Sequence, residues 1–393
     1  VSTPPPPFGT YQYEIYLRGM AGETPDFPMS WADLEAQAAA KLDTGAHGYV
    51  WGGSGTEDTQ RENLEAFRRW RIVPRMLRDV GTRDMQTTVL GTEMPAPLLL
   101  APVGVQSIVH PEGELASARA AGALGVPIVA STASSFTLEE IAEAGGDGPR
   151  WFQLYWPRGD ELTASLVGRA EAAGYAAIEV TLDTWLLAWR PRDLQGAYLP
   201  FLRSEGIANY LADPVFRSTL ERTPEEDPQA AVGQFVGVFS NPTVTWDDLA
   251  ALREMTSLPI LLKGILHPDD ARQARELGMD GLVVSNHGGR QVDGAIGALD
   301  ALPAVVDAVG DDLAIVLDSG VRCGADAIKA LALGADAVQL GRPYLWGLAL
   351  DGEDGVRSVL RNFLAELDLT LALSGHTHPS ELSPRTLQRQ AGA

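Results

Sequence analysis

Among its 393 residues the chain has one cysteine, Cys323. Intrachain disulfides and any cysteine-built zinc site are thereby excluded, and the usage fits a reducing compartment. Basic residues are scarce too: 30 Lys and Arg stand against 52 Asp and Glu, a formal charge of -22. Nucleic acid and anionic membrane would both repel such a surface, so neither is an expected partner. An anionic small molecule would need a local cluster of arginines instead. No apolar run approaches the roughly 18 residues of a membrane span, and no basic segment precedes an apolar core at the start. A soluble, cytoplasmic protein is the expectation. With 45% hydrophobic and 21% charged residues, one large core is within reach.

What is present falls into four stretches. Residues 1–10 open with VSTPPPPF, a polyproline-like tail expected to be disordered. Residues 11–97 read as an N-terminal helical extension packed on the rest. It holds a helix from Trp31 with Ser30 as N-cap. A glycine-dense loop follows from Gly48 to Gly55, carrying Tyr49 and Trp51, and then an amphipathic helix through Phe67. From residue 98 a rhythm of short apolar strand, polar or glycine loop and amphipathic helix sets in. Strands are predicted at 98–101, 128–130, 152–154, 177–181, 260–263, 282–285, 315–318 and 338–340. Eight strands alternating with helices predict an α/β (β/α)8 TIM barrel over 98–380. Residues 381–393 are left as a C-terminal tail.

The connection after the fourth strand is far longer than the others. A loop of such length on a barrel is usually a lid or a disordered insertion. Residues 182–245 include Trp185, Trp189, Arg190, Arg192, Phe201, Arg203 and Tyr210, which favours a lid. Its acidic, proline-bearing stretch 222–229 is expected to be mobile.

Barrels of this kind carry their chemistry where the strands end. Those ends supply Pro102, Val103, Gly104, Ser131, Gln153, Tyr155, Thr181, Asp183, Lys263 and Ser285. The most informative stretch runs from Leu282 to Gln291. A buried-strand pattern breaks into Ser285-Asn-His-Gly-Gly-Arg, so a candidate base, His287, lies three residues from a fixed cation, Arg290. After the last two strands come Asp318-Ser-Gly320-Val-Arg322 and Gly341-Arg342. Glycine turns leading into helix N-termini there form the phosphate cradle of this fold, and the arginines add charge-assisted bonds. Neutral donors and acceptors with one lysine suit a flat heteroaromatic ring. Phosphate plus such a ring points to FMN. No dinucleotide fingerprint follows a strand, so a nicotinamide cofactor is disfavoured, and no metal site is expected. A non-redox, phosphate-binding isomerase or lyase using His287 and Lys263 is the rival from another class.

At these residues the sequence resembles the FMN-dependent 2-hydroxy acid oxidase/dehydrogenase family. The likeness rests on Ser-Asn-His-Gly-Gly-Arg-Gln (285–291), Leu-Lys-Gly-Ile (262–265), Asp-Ser-Gly-Val-Arg (318–322) and Leu-Gly-Arg-Pro (340–343). Trp-Phe-Gln-Leu-Tyr (151–155) and Ala-Pro-Val-Gly (101–104) agree. Thr181-Leu-Asp-Thr-Trp, Trp189-Arg-Pro-Arg-Asp-Leu and the long insertion are most similar to its lactate 2-monooxygenase branch. Gly104 fits that branch too, since simple lactate oxidases tend to carry alanine beside the flavin. The resemblance implies that His287 is the base, oriented by Asp183. Arg290, Tyr49 and the lid residue Arg190 would bind the substrate carboxylate, and Tyr155 would meet the substrate hydroxyl. Lys263 would face the flavin edge that becomes negative on reduction. Pro102, Val103, Gly104, Ser131, Gln153, Thr181 and Ser285 would hold the ring, and Asp318, Gly320, Arg322, Gly341 and Arg342 the ribityl phosphate. It implies a 2-hydroxy acid and O2 as reactants, lactate first, and a tetramer or octamer. The product would be acetate with CO2, or the keto acid with H2O2 in an oxidase.

Overall fold

A computed structural model of the chain describes residues 6–390. Eight parallel strands close into a barrel. They are β1 (Leu98–Leu100), β2 (Ile128–Ser131), β3 (Arg150–Tyr155), β4 (Ile178–Thr181), β5 (Ile260–Ile265), β6 (Gly281–Val284), β7 (Ala314–Leu317) and β8 (Ala337–Leu340). Each boundary lies close to its sequence expectation, because short β-branched runs bounded by glycine or polar residues have few other solutions. The architecture is a (β/α)8 TIM barrel.

Side chains alternate along a strand, and here the alternation sorts the barrel by height. Leu98, Leu100, Ile128, Ala130, Phe152, Leu154, Ile178, Val180, Leu262 and Leu282 point outward and pack under the helices. Leu99, Val129, Trp151, Leu261, Val283, Val316 and Ala337 point inward and form an apolar plug. Two residues further along the same strands the inward positions turn polar: Ser131, Gln153, Glu179, Lys263, Ser285, Asp318 and Gln339, all buried. The functional end thus rests on a dry floor. That floor is closed from outside by the hairpin Thr87–Val89/Thr92–Met94, whose Val89 and Met94 join the plug. The Trp151 indole donates to Thr92 Oγ1 at 2.8 Å.

Several expectations outside the barrel need correction. Phe8–Thr10, assigned to the tail, form a turn of 3-10 helix. The Gly9 amide donates to Asp368 Oδ2 at 2.7 Å, which ties this segment to the C-terminal helix. The rest of the tail expectation, residues 1–5, lies outside the described residues. Ser30 does cap the helix Trp31–Lys41, its Oγ accepting from the Asp33 amide. The first half of the glycine-dense loop is instead helix: Thr44–Trp51 is capped by Asp43, whose carboxylate accepts from the Ala46 amide at 2.9 Å. Its terminal carbonyls are held by distant arginines, which compensates for poor glycine propensity. At the other end Leu387–Arg389, left as tail, pair antiparallel with Trp70–Ile72.

The insertion after β4 is folded throughout. It contains helices Pro191–Gln195, Ala208–Ala212, Pro214–Ser218 and Pro228–Phe239. Asn209, fully buried, fastens it to the barrel by donating to the Thr132 carbonyl at 3.0 Å and accepting from the Leu138 amide at 2.7 Å. Phe201, Tyr210, Phe216, Phe235 and Phe239 pack as an aromatic core of its own. The stretch expected to be mobile includes Asp227, which caps the helix Pro228–Phe239, and Glu225, which pairs with Arg217. No described helix is long and apolar enough to cross a membrane. Truncating Trp151 to Ala should cost about 3–5 kcal/mol; chemical denaturation of the FMN-loaded protein would measure it.

Candidate active site

At the carboxyl end of the barrel lies a cavity lined by Tyr49, Tyr155, Lys263, His287, Arg290 and Arg322 among others. His287 enters it directly after β6. The turn His287–Gly289 is built on left-handed backbone, φ 58°, 64° and 77° in succession, which is uncommon for a residue other than glycine. Asn286 stabilises the turn by accepting from the Gly289 amide. The ring's Nδ1 lies 2.8 Å from Asp183 Oδ1, and Thr184 Oγ1 donates to the same oxygen at 2.8 Å. A carboxylate only accepts, so Nδ1 carries the proton and Nε2 is left as the basic nitrogen. Burial lowers the His287 pKa, although Asp183 opposes it. Burial alone would raise Asp183, but His287 and Lys263 outweigh it and hold the carboxyl well below its usual range. The pair is neutral imidazole beside ionised carboxylate, a base ready to accept one proton.

Two guanidiniums share this end of the cavity. Arg290 Nη1 donates to the carbonyls of Tyr49 and Gly52, and its cation lies over the Tyr49 ring at 5.1 Å. Arg190, from the insertion, donates to the Arg290 carbonyl at 3.0 Å and to Gln291 Oε1 at 2.6 Å. Burial, then the nearby Arg190 charge, pushes Arg290 down to about 10. Two cations held together out of water call for an anion between them. Tyr155 completes the wall, its phenol raised to about 12 by burial and the Asp183 charge.

Beneath the cavity a polar chain runs along the strand ends. Ser131 Oγ donates to Gln153 Oε1 and Gln153 Nε2 to Thr181 Oγ1, both at 2.8 Å. Lys263 Nζ donates to Ser285 Oγ at 2.8 Å and pairs with Asp318 at 3.3 Å. Pro102, Val103, Gly104, Ser131, Lys263 and Asp318 line the wall, whereas Gln153, Thr181 and Ser285 support it from behind. Asp318, expected at the phosphate end, lines the cavity and is the counter-ion of Lys263.

At the other end Gly320 and Gly341 line the cavity with Arg322 and Arg342. Arg322 stacks on Trp31 at 4.5 Å, and its Nε is buried without a partner among the described residues. Arg342, expected at the phosphate end, lines that end and also bonds to main chain. It donates to the carbonyls of Val50 and Gly288 at 3.0 and 2.9 Å and to Gln60 at 3.2 Å. It therefore holds the Thr44–Trp51 helix over the cavity, and Arg322 is the cation with a donor to offer an anion.

Sequence reasoning missed Thr184, Leu187, Phe201, Phe239 and Gln291. Phe239 had a signal, an apolar i, i+4 pairing with Phe235, and Gln291 ended the motif already singled out. Leu187 had none, since only the path of the insertion brings it to the cavity.

A neutral base, a paired cation site, a buried lysine and an open arginine line one elongated cavity. They define a barrel that can hold a phosphate-bearing planar cofactor and act on a carboxylate substrate beside it. The FMN-dependent dehydrogenase family model matches residues 38–389. An L-lactate oxidase of Lysinibacillus sphaericus is 46% identical over 380 residues, covering 96% of this chain and 97% of that one. Human 2-hydroxyacid oxidase 1 is 42% identical, covering 87% and 92%. A solved mandelate oxidase superposes with a TM-score of 0.82 at 39% identity, covering 93% and 99%. The chain belongs to the FMN-dependent 2-hydroxy acid oxidase family, and its cofactor is FMN. The cavity fits that group: an unpartnered arginine donor lies at the end carrying Gly320 and Gly341, and a buried lysine with neutral donors lies along the wall.

With His287 as the base, kcat/KM is expected to fall as pH drops through an apparent pKa below 6.5 and to level off above it. Replacing Asp183 with Asn should move that pKa lower still and slow flavin reduction about 10²- to 10⁴-fold. Stopped-flow absorbance across pH reads both.

Proposed function

We propose that the protein oxidises a small L-2-hydroxy acid, L-lactate as first choice, and holds the keto acid until O2 has reacted. The net reaction is then L-lactate and O2 to acetate, CO2 and H2O. The observation that carries the substrate class is the buried pair Arg190 and Arg290 beside the neutral His287. The carboxylate lies between the two guanidiniums with Tyr49 donating to it, and Tyr155 meets the hydroxyl. This directs the hydroxyl proton at His287 Nε2, and Asp183 stabilises the imidazolium that forms. FMN supplies the two-electron acceptor, which O2 restores. Pro102, Val103, Gly104, Ser131, Gln153, Thr181, Lys263 and Ser285 would hold or support its ring, with Gly320, Arg322 and Gly341 at its phosphate and Arg342 framing that end.

Three features support a small substrate and a retained product. Tyr155 packs on Phe239 at 5.2 Å and Phe201 on Phe239 at 5.6 Å, an aromatic wall suited to a methyl group. Gln291 fastens the lid: its amide donates to the Asp183 carbonyl at 2.6 Å while its oxygen accepts from Arg190. Opening the lid thus breaks bonds made to the base's own loop. Finally, a Cβ at Gly104 would lie 2.2 Å from the Ala133 carbonyl oxygen, so alanine does not fit without moving backbone. Peroxide formed inside a closed cavity meets the keto acid and decarboxylates it. Faster opening would release keto acid and H2O2 separately, a second reading favoured by the 46% identity to an L-lactate oxidase.

Counting acetate, pyruvate and peroxide per O2 consumed with L-lactate tests the reading. Acetate without free peroxide is expected; stoichiometric pyruvate and peroxide would make it an oxidase, and turnover of mandelate alone would discard the small-substrate assignment. His287→Gln should bind FMN yet abolish its reduction. Arg290→Met should weaken substrate binding about 10- to 100-fold with FMN content unchanged, read by substrate titration.

A further inference from the structure

Two buried polar side chains inside the barrel have no part in the chemistry above. Glu179 lies on β4, fully buried, and faces inward like Thr181 two residues on. Its register neighbours are Gln153 on β3 and Leu261 on β5. It reaches Gln339 on β8, whose Nε2 donates to Glu179 Oε2 at 2.5 Å. Gln339 in turn lines the FMN cavity. A carboxyl group at the edge of an apolar plug is costly unless something requires it.

The pair is also incompletely satisfied. Glu179 Oε1 and Gln339 Oε1 are both buried without a partner among the described residues. A proton on the carboxyl group turns one of its oxygens into a donor, the kind of group that an orphan acceptor on the bonded partner lacks. The charged groups acting on Glu179 are Lys263 from β5, Asp318 after β7 and Asp183 after β4. Were Glu179 ionised, three carboxylates would surround one lysine. Two-electron reduction of FMN adds negative charge to that same neighbourhood, which favours the protonated acid further.

We propose that Glu179 is a proton-linked positioning residue for FMN, acting through Gln339 and Lys263, that takes up one solvent proton on its carboxylate when the cofactor is reduced. Burial pushes the carboxyl up to about 7, against the pull of Lys263 and the Gln339 bond, so this uptake falls in the neutral range. Below it the acid is neutral in both redox states. Above it the carboxylate opposes reduction and lowers the potential. The inference rests on FMN occupying the cavity, not on the identity of the hydroxy acid.

The test is the midpoint potential of bound FMN, measured by dye equilibration without substrate from acid to alkaline pH. The native protein should show an inflection near neutrality, with a steeper slope above it corresponding to the extra proton. Glu179→Gln should match the native potential at low pH, lack the inflection, and lie higher above neutrality. Gln339→Leu removes a donor to the carboxylate and should shift the inflection to higher pH; it carries the test if the first variant does not fold. Parallel native and Glu179→Gln profiles, or an inflection unmoved by Gln339→Leu, would overturn the proposal. So would loss of FMN from both variants while they remain folded, since the pair would then build the site rather than tune it.

Discussion

Closing eight parallel strands into a ring forces every second residue of each strand into a space too small for solvent, and this constraint governs the rest. The interior must be filled by side chains that satisfy one another. The chain meets it in two tiers. Trp151, Leu99, Leu261 and their neighbours fill the lower tier with apolar bulk. The upper tier is filled by groups that bond among themselves, such as Ser131 to Gln153 to Thr181 and Lys263 to Ser285. The dry tier gives the polar one no water to escape to, so its geometry is fixed before any ligand enters. Loops leaving the strands then start from rigid points, and His287 can be held in left-handed backbone that a mobile loop would not maintain.

Charge follows the same logic. A chain of formal charge -22 concentrates Arg190, Arg290, Arg322, Arg342 and Lys263 around one cavity. Burial makes each cation costly, and each is offset differently. Lys263 has a carboxylate, Arg342 a set of main-chain carbonyls and Arg322 an aromatic face. Arg190 bonds to the Arg290 carbonyl and Gln291, and Arg290 to the carbonyls of Tyr49 and Gly52; Asp193 acts on both, but neither forms an ion pair among the described residues. The asymmetry separates cations satisfied by the chain itself from the pair to which the proposed substrate carboxylate is assigned.

The barrel was legible because its signals are local: β-branched runs, glycine breaks and helical periodicity each need only a short window. The rim residues were legible for the same reason, since they follow the strands directly. What stayed hidden depended on distant partners. The Thr44–Trp51 helix looks like a glycine loop until Arg290 and Arg342, some 240 to 290 positions away, terminate it. The insertion looks irregular because its aromatic core assembles from separated short helices. Asp318 sat at the right strand end, but its partner Lys263 lies two strands away, and no spacing rule pairs them. Family resemblance supplied the roles of Tyr49 and Arg190, which composition and periodicity could not.

The bonds from Arg290 and Arg342 to the carbonyls of residues 49–52 bear on modularity. A barrel starting at residue 98 looks like a self-contained unit that could be excised, permuted or fused. Yet the helix Thr44–Trp51 forms part of the cavity roof, and two barrel arginines depend on it for their hydrogen bonds. Cutting between the extension and the first strand would strand two buried cations. Recombination with a relative's N-terminal segment would succeed only where the donor segment presents carbonyls in the same positions. Any exchangeable unit therefore has to run across the extension and the loops after β6 and β8 together.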